Sequence, residues 1–164
     1  MKFPKEIDIE AVVAFLDTVS TESKVYIGCD SERKRVDGKW YNDYNTVVVV
    51  HVDGKHGCKI FGAVDTELDF DRKLDRPSMR LMGEVYRVAN LYTALSTQIA
   101  ADIAVHLDLN RNEVHGSSCV VDQAIGYIRG VCGVEPAVKP HAWCASFAAD
   151  RLREIKMTAE TEKG

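Results

Sequence analysis

Four carboxylates lie in sequence contexts that suit metal binding or proton transfer: Asp30, Glu84, Asp108 and Asp150. Asp30 ends the apolar segment 24–30, and Asp108 ends the apolar segment 103–108. Ligands of open α/β sheets collect beyond the carboxyl ends of strands, so we expect these two aspartates to converge. An aspartate directly after a strand is also an ordinary turn or capping residue, and that alternative stays open for each of them.

Glu84 lies three residues after Leu81 and four before Val88, which places it on the helix face that the apolar residues bury. A carboxylate on a packed face is costly unless it is paired or bound to a metal ion. The alternative is a glutamate at the edge of the apolar stripe, reaching solvent or pairing with Arg80 or Arg87.

Asp150 follows a run of small and apolar residues, 144–149, on a predicted helix. By itself it suits a solvent-facing aspartate paired with Arg151 or Arg153. Taken together, carboxylates from two strands and two helices match the needs of one or two Mg²⁺ or Mn²⁺ ions, because these hard cations prefer oxygen ligands. Two such ions can clamp a phosphodiester for in-line attack by water. The site therefore predicts metal-dependent hydrolysis of RNA or DNA.

A basic segment follows Asp30. Residues 33–39 contain four basic residues against one acidic residue, and Trp40 comes next. Basic side chains and aromatic rings together suit contact with a nucleic-acid backbone and its bases, although a solvated hairpin loop is an equal alternative. The candidate substrate contacts are Arg33, Lys34, Arg35, Trp40, Lys139 and His141.

The elements that must position these residues alternate between apolar strands and amphipathic helices. Their order predicts an α/β fold, a mixed sheet with helices packed on it, within a single domain over residues 1–164. The intervening residues 31–43 and the acidic stretch 65–75 are predicted to be loops. The predicted elements are a helix over 9–19 capped by Asp8, strands over 24–30, 46–51 and 58–64, a helix beginning near Pro77, a strand over 103–108, a helix over 117–130, a strand over 136–140 and a helix over 143–157.

Composition excludes several other classes of protein. The 164 residues carry a formal net charge of −4, which argues against a protein that coats nucleic acid by bulk charge. The sequence has no apolar run near the ~20 residues that a membrane span needs, and its first residues lack a signal peptide. Five cysteines without a CxxC pair indicate free thiols and a cytoplasmic protein. Zinc-hydrolase, phosphate-loop, dinucleotide-binding and serine-hydrolase motifs are missing from the sequence.

Five blocks of the chain resemble the YkuK-like family of predicted nucleases with the ribonuclease H fold. The similarity covers nearly the whole chain, and its most specific part is a Lys-Pro-x-x-Trp-x-Ala-Ser pattern that begins at Lys139 and is followed by Ala-Asp-Arg. The blocks are 26–31, 48–51, 81–85, 105–110 and 139–151. The resemblance implies a mixed five-stranded sheet, here with an additional N-terminal helix, and metal binding by Asp30, Glu84, Asp108 and Asp150.

The chain departs from the family pattern at a few positions. Cys29 and Glu32 stand where the family often has Thr and Gln, and His141 stands where it often has Asp. Glu32 adds negative charge near the proposed site, and His141 could act on a leaving group or on water. The alternative function is a catalytically silent ribonuclease H-fold module that binds nucleic acid or protein.

Overall fold

The computed structural model describes residues 3–54, 57–72, 76–112 and 116–146. The elements are α1 (Ile9–Leu16), β1 (Lys24–Val36), β2 (Lys39–His51), β3 (Cys58–Leu68), α2 (Ser78–Ser96), β4 (Ile103–Asn110), α3 (Val121–Cys132) and β5 (Ala137–Lys139). The strands form a five-stranded mixed sheet in the order β3-β2-β1-β4-β5, flanked by helices and preceded by the N-terminal helix. Neighbouring strands among β3, β2 and β1 are antiparallel, whereas β4 and β5 run parallel to β1. The predicted fold class is therefore confirmed.

The two faces of the sheet are covered differently. Helices α1, α2 and α3 pack on the face that we call the α2 face, where alternate residues of β1 such as Val25, Ile27 and Cys29 join the main core. The opposite face carries Tyr26, Gly28 and Asp30 of β1, and we call it the carboxylate face. There a smaller cluster forms around Val47, Val49 and Cys144. Consecutive residues of β1 therefore serve two different environments.

The first hairpin is longer than the sequence predicts. Strand β1 continues past Asp30 to Val36, and β2 begins at Lys39, so the predicted loop over 31–43 is wrong. The connection is only Asp37 and Gly38, both with positive φ, as a tight two-residue hairpin turn requires. Cross-strand pairing outweighs the polarity of this segment, because every residue from 24 to 36 has a partner on β2.

Strand β4 likewise continues past Asp108 to Asn110, so neither aspartate closes its strand as predicted. Helix α1 ends at Leu16, before Val19. The predicted acidic loop over 65–75 is wrong at its start, because β3 extends to Leu68. Further along, the Asp71 carboxylate accepts hydrogen bonds from the N–H groups of Met79 and Arg80 at the start of α2. No helix among the described residues is long and apolar enough to cross a membrane.

Candidate functional site

Asp30 and Asp108 lie side by side on the carboxylate face. The parallel pairing of β1 with β4 aligns Val25 with Ile103 and Ile27 with Val105, and the same register continued by three residues brings Asp30 level with Asp108. Strand pairing, not the shared position at strand ends, therefore joins the two aspartates. The Oδ1 atom of Asp30 also accepts a hydrogen bond of 2.9 Å from the N–H of Ser31.

The closeness of the two carboxylates changes their chemistry. Burial, and next the negative charge of Asp108 and a hydrogen bond between the two side chains, raise the pKa of Asp30 from 3.8 to about 6. The charge of Asp108 thus opposes the ionisation of Asp30. A bound cation would remove that repulsion.

Asp108 has two further partners from the last part of the described chain. The ammonium of Lys139, on β5, lies 2.8 Å from Oδ1 of Asp108. The hydroxyl of Ser146 lies 3.4 Å from the same oxygen. The hydrogen bond with Asp108 raises the pKa of Lys139, and the charges of Asp108, Asp30 and Glu84 act in the same direction. One carboxylate oxygen is thus the meeting point of β4, β5 and residue 146.

Glu84 approaches from the other side of the sheet. It is 4% exposed on α2, as the apolar spacing predicts, and its Oε2 accepts a hydrogen bond of 2.9 Å from the Ser31 hydroxyl. Arg80 donates through its Nη1 to the hydroxyl and the carbonyl of Ser31. Burial, and next the charge of Asp30, raise the pKa of Glu84 well above its ordinary value. Arg87 is directed elsewhere, to Asp65 on β3.

A histidine fixes the start of the last helical turn against the sheet. His106 shares the carboxylate face with Asp108, and its Nδ1 accepts hydrogen bonds of 3.3 Å from the N–H groups of Trp143 and Cys144. Gly28 permits the close packing there, because a Cβ atom on it would lie 3.1 Å from the backbone nitrogen of Ala145. This contact brings Ser146 to Asp108, and it makes His106 a packing residue of the carboxylate face.

Asp150 lies outside the described residues. Within residues 3–54, 57–72, 76–112 and 116–146, no three His, Cys, Asp or Glu side chains are arranged so that they could hold a metal ion. Asp30 and Asp108 are the two carboxylates that the structure brings into contact here, and the charge of Asp30 also acts on Glu84.

The basic residues of the hairpin divide between the two faces. By strand alternation Lys34 shares the carboxylate face with Asp30, whereas Arg33 and Arg35 lie on the α2 face. Trp40, paired with Arg35, lies on that same face, and the guanidinium of Arg33 stacks 4.2 Å from its ring centroid. Arg33 also forms an ion pair with Asp69. The six predicted substrate contacts are thus not one surface.

Lys139 and His141 flank the carboxylate face at its β5 edge. Lys139 contacts Asp108 as described above, and His141 is an exposed residue of the turn that follows β5. The N–H of His141 donates 2.9 Å to the carbonyl of Val138. The structure brings Lys139 to the aspartate pair, and His141 follows two residues later.

Sequence reasoning did not single out Ser31 and Ser146, the two serines whose hydroxyls contact the carboxylates. Ser31 gave a usable signal, because a small polar residue beside Asp30 in an apolar strand must face the opposite side of the sheet. Ser146 gave none, since its contact with Asp108 spans 38 residues of sequence. Arg80, one of the two predicted partners of Glu84, is linked to it through the Ser31 hydroxyl.

Comparison with known proteins identifies the family of this chain. The family described as Ribonuclease H-like matches residues 8–154. No curated protein and no solved structure matched the chain. The match spans most of the sequence and includes every element described above, and the strand order agrees with it. The chain belongs to the ribonuclease H-like family.

Proposed function

We propose that this protein is a metal-dependent nuclease that hydrolyses phosphodiester bonds of RNA or DNA, and that it is a YkuK-like member of its family. The observation that carries the proposal is the contact between Asp30 and Asp108 on one face of a ribonuclease H-like sheet, with the pKa of Asp30 raised to about 6. Perturbed carboxylates that converge in this way are typical of sites that bind cations or transfer protons.

The donor set fits Mg²⁺ or Mn²⁺. Asp30 and Asp108 provide hard oxygen donors, and Glu84 adds a third carboxylate from α2. Asp150 is the proposed fourth, on the strength of the sequence pattern alone. When bound, such an ion would supply charge for the phosphodiester oxygens and lower the pKa of an attacking water.

The protein's own residues hold this arrangement in place. Pairing of β1 with β4 sets the separation of Asp30 and Asp108, while Ser31 and Arg80 fix Glu84 through two hydrogen bonds of 2.9 Å. Burial and the neighbouring carboxylate raise the pKa of Asp30 in the metal-free protein. A bound cation would favour the ionised form of Asp30, so the role proposed for this carboxylate is to hold the cation.

Substrate contacts are proposed on both sides of the hairpin. Lys34, Lys139 and His141 are the candidates nearest the carboxylate face, where a phosphate would approach Asp30 and Asp108. Arg33, Arg35 and Trp40 are candidates for contact with a more distant part of the strand, because they lie on the other face of the hairpin. Aromatic and basic side chains together bind single-stranded nucleic acid through stacking and charge.

A cleavage panel tests the function. Wild-type protein and Asp108→Asn are incubated with single-stranded and duplex RNA and DNA, with Mn²⁺, with Mg²⁺ or with a chelator. We expect cleavage of at least one substrate by wild type with a divalent cation, and loss of it with the chelator and in the variant. Equal cleavage by wild type and Asp108→Asn would contradict the proposal, and so would cleavage in the presence of the chelator.

The second candidate is a ribonuclease H-fold module that binds nucleic acid or protein without cleaving it. One observation favours it: among the described residues no three potential ligands are arranged around one point. The same panel separates the two functions, because the module would retain a labelled oligonucleotide without shortening it. Retention without cleavage under every cation condition would support the module.

A further inference from the structure

Lys139 contacts Asp108, one of the carboxylates proposed to bind the cation. Its Nζ lies 2.8 Å from Oδ1 of Asp108, whose side chain is only 14% exposed, whereas the Lys139 side chain is 40% exposed. The carboxylate is therefore held within the protein, while the lysine can swing toward solvent. A lysine ammonium has only hydrogen-bond donors, so it cannot bind a metal ion itself. The lone pair of Oδ1 that accepts its hydrogen bond cannot bind a metal ion at the same time.

The surrounding charge explains why the ammonium is held there. Asp108, Asp30 and Glu84 all favour the charged form of Lys139. In the absence of a metal ion, a single positive charge at this point offsets part of the repulsion between Asp30 and Asp108. The two positive charges of a divalent cation would offset more of it, and would at the same time repel the ammonium.

We infer that Lys139 is an internal counter-ion that competes with the divalent cation for Asp108 and so sets the cation concentration at which the site fills. The inference rests on the proposed metal site and concerns its regulation. Binding of the cation requires the ammonium to leave Oδ1, so the lysine weakens the apparent metal affinity. The displaced ammonium is then free to meet a phosphate oxygen of the nucleic acid.

The chain contains an ion pair outside the proposed site that serves as a control. Nη2 of Arg129 lies 2.7 Å from Oε1 of Glu135, and both side chains are exposed. That pair joins α3 to the residues before β5, and none of the charges that raise the pKa of Asp30 comes from it. Removing the charge of Arg129 changes the net charge of the protein by the same amount without touching Asp108.

The experiment measures free Mn²⁺ by electron paramagnetic resonance during titration of the full-length protein at low ionic strength. We expect Lys139→Gln to bind Mn²⁺ about three- to tenfold more tightly than wild type, since one competing positive charge is gone. Lys139→Arg keeps the charge and should bind within about twofold of wild type, as should Arg129→Gln. Without metal, Lys139→Gln should also melt at a lower temperature than wild type.

Each outcome has one meaning. If wild type binds Mn²⁺ and Lys139→Gln binds it equally or more weakly, the counter-ion role is wrong while the metal site stands. If neither protein binds Mn²⁺, both the counter-ion role and the proposed metal-dependent function are wrong. If only Lys139→Gln binds, the lysine blocks the site and wild-type metal catalysis is contradicted. Equal tightening by Arg129→Gln would reduce the effect to net charge and overturn the inference.

Discussion

The carboxylates on the two faces of β1 lie in different environments. On the α2 face Glu84 is buried, and the Ser31 hydroxyl, itself bound by Arg80, donates to it. On the carboxylate face Asp30 meets the like charge of Asp108, and the nearby cation, Lys139, is on a three-residue strand. Adjacent residues of one strand thus serve a hydrogen-bonded network on one side and a charge repulsion on the other.

The difference divides the roles of two neighbouring residues of β1. Ser31 satisfies a buried side chain, because its hydroxyl donates to Glu84 and accepts from Arg80. Asp30 meets a like charge that helps to raise its pKa, so its ionised form opposes folding near neutral pH in the metal-free protein. A repulsion of this kind is a common property of sites that act on ligands, because the bound ligand relieves it.

The largest expected effect comes from a substitution in the aspartate pair of the carboxylate face. Asp30→Asn should reduce Mn²⁺-dependent cleavage by about 100-fold or more, because loss of even an indirect metal partner costs about 10- to 100-fold. Its circular dichroism and melting temperature should show that the fold is retained. The control is Asp122→Asn on α3, an exposed residue paired with Arg111. Equal losses of activity in the two variants would mean that Asp30 has no special role.

The second effect concerns pH. The pKa of Asp30 is higher in the folded protein, about 6, than its ordinary 3.8, so the folded state holds this proton more tightly than the unfolded chain. Stability from this group is therefore present at low pH and is lost as pH rises from about 4 to about 7, by at most about 3 kcal/mol. Urea unfolding of metal-free wild type across that range measures the loss.

The matched protein for the pH experiment is Asp30→Asn, which has no group to titrate at this position. Its free energy of unfolding should decline less than that of wild type between about pH 4 and about pH 7. Identical declines in the two proteins would show that the repulsion between Asp30 and Asp108 does not affect folding, and the contrast between the faces would then be lost.

A pair of serines compares the faces directly. Ser31→Ala removes the hydroxyl that joins Glu84 to Arg80. Leaving these two side chains without that partner should cost about 1–3 kcal/mol of unfolding free energy. Ser146→Ala removes an exposed contact of 3.4 Å to Asp108 and should cost about 0.5 kcal/mol or less. Chemical denaturation of both variants measures the difference, and equal costs would contradict the division of roles.

The smallest effect separates the faces of the hairpin. Lys34→Gln, on the carboxylate face, should weaken binding of a single-stranded oligonucleotide and reduce the slope of log affinity against log salt by about 0.7. Arg35→Gln, on the α2 face, should change that slope less. Fluorescence anisotropy over a salt series measures both variants. A greater loss with Arg35→Gln would place the substrate path over Arg35 and Trp40 instead.

Much of the fold was predictable because apolar spacing is a local signal. The order of helices and strands, the buried position of Glu84 and the capping of α1 by Asp8 all follow from residues within one or two turns of each other. The extent of β1 and β2 was not predictable in this way. Residues 31–36 are polar, and they become strand because each pairs with a residue of β2 across a two-residue turn.

The candidate residues were also named from the sequence, since carboxylates after apolar segments and on an apolar helix face are conspicuous. The sequence by itself determined the kind of sheet, and it predicted which carboxylates are candidate ligands. Only the tertiary structure decided that Asp30 and Asp108 touch, that Lys139 contacts Asp108, and that Arg33 and Lys34 face opposite ways. These contacts depend on strand register and on which face each residue occupies, and both are set by long-range pairing.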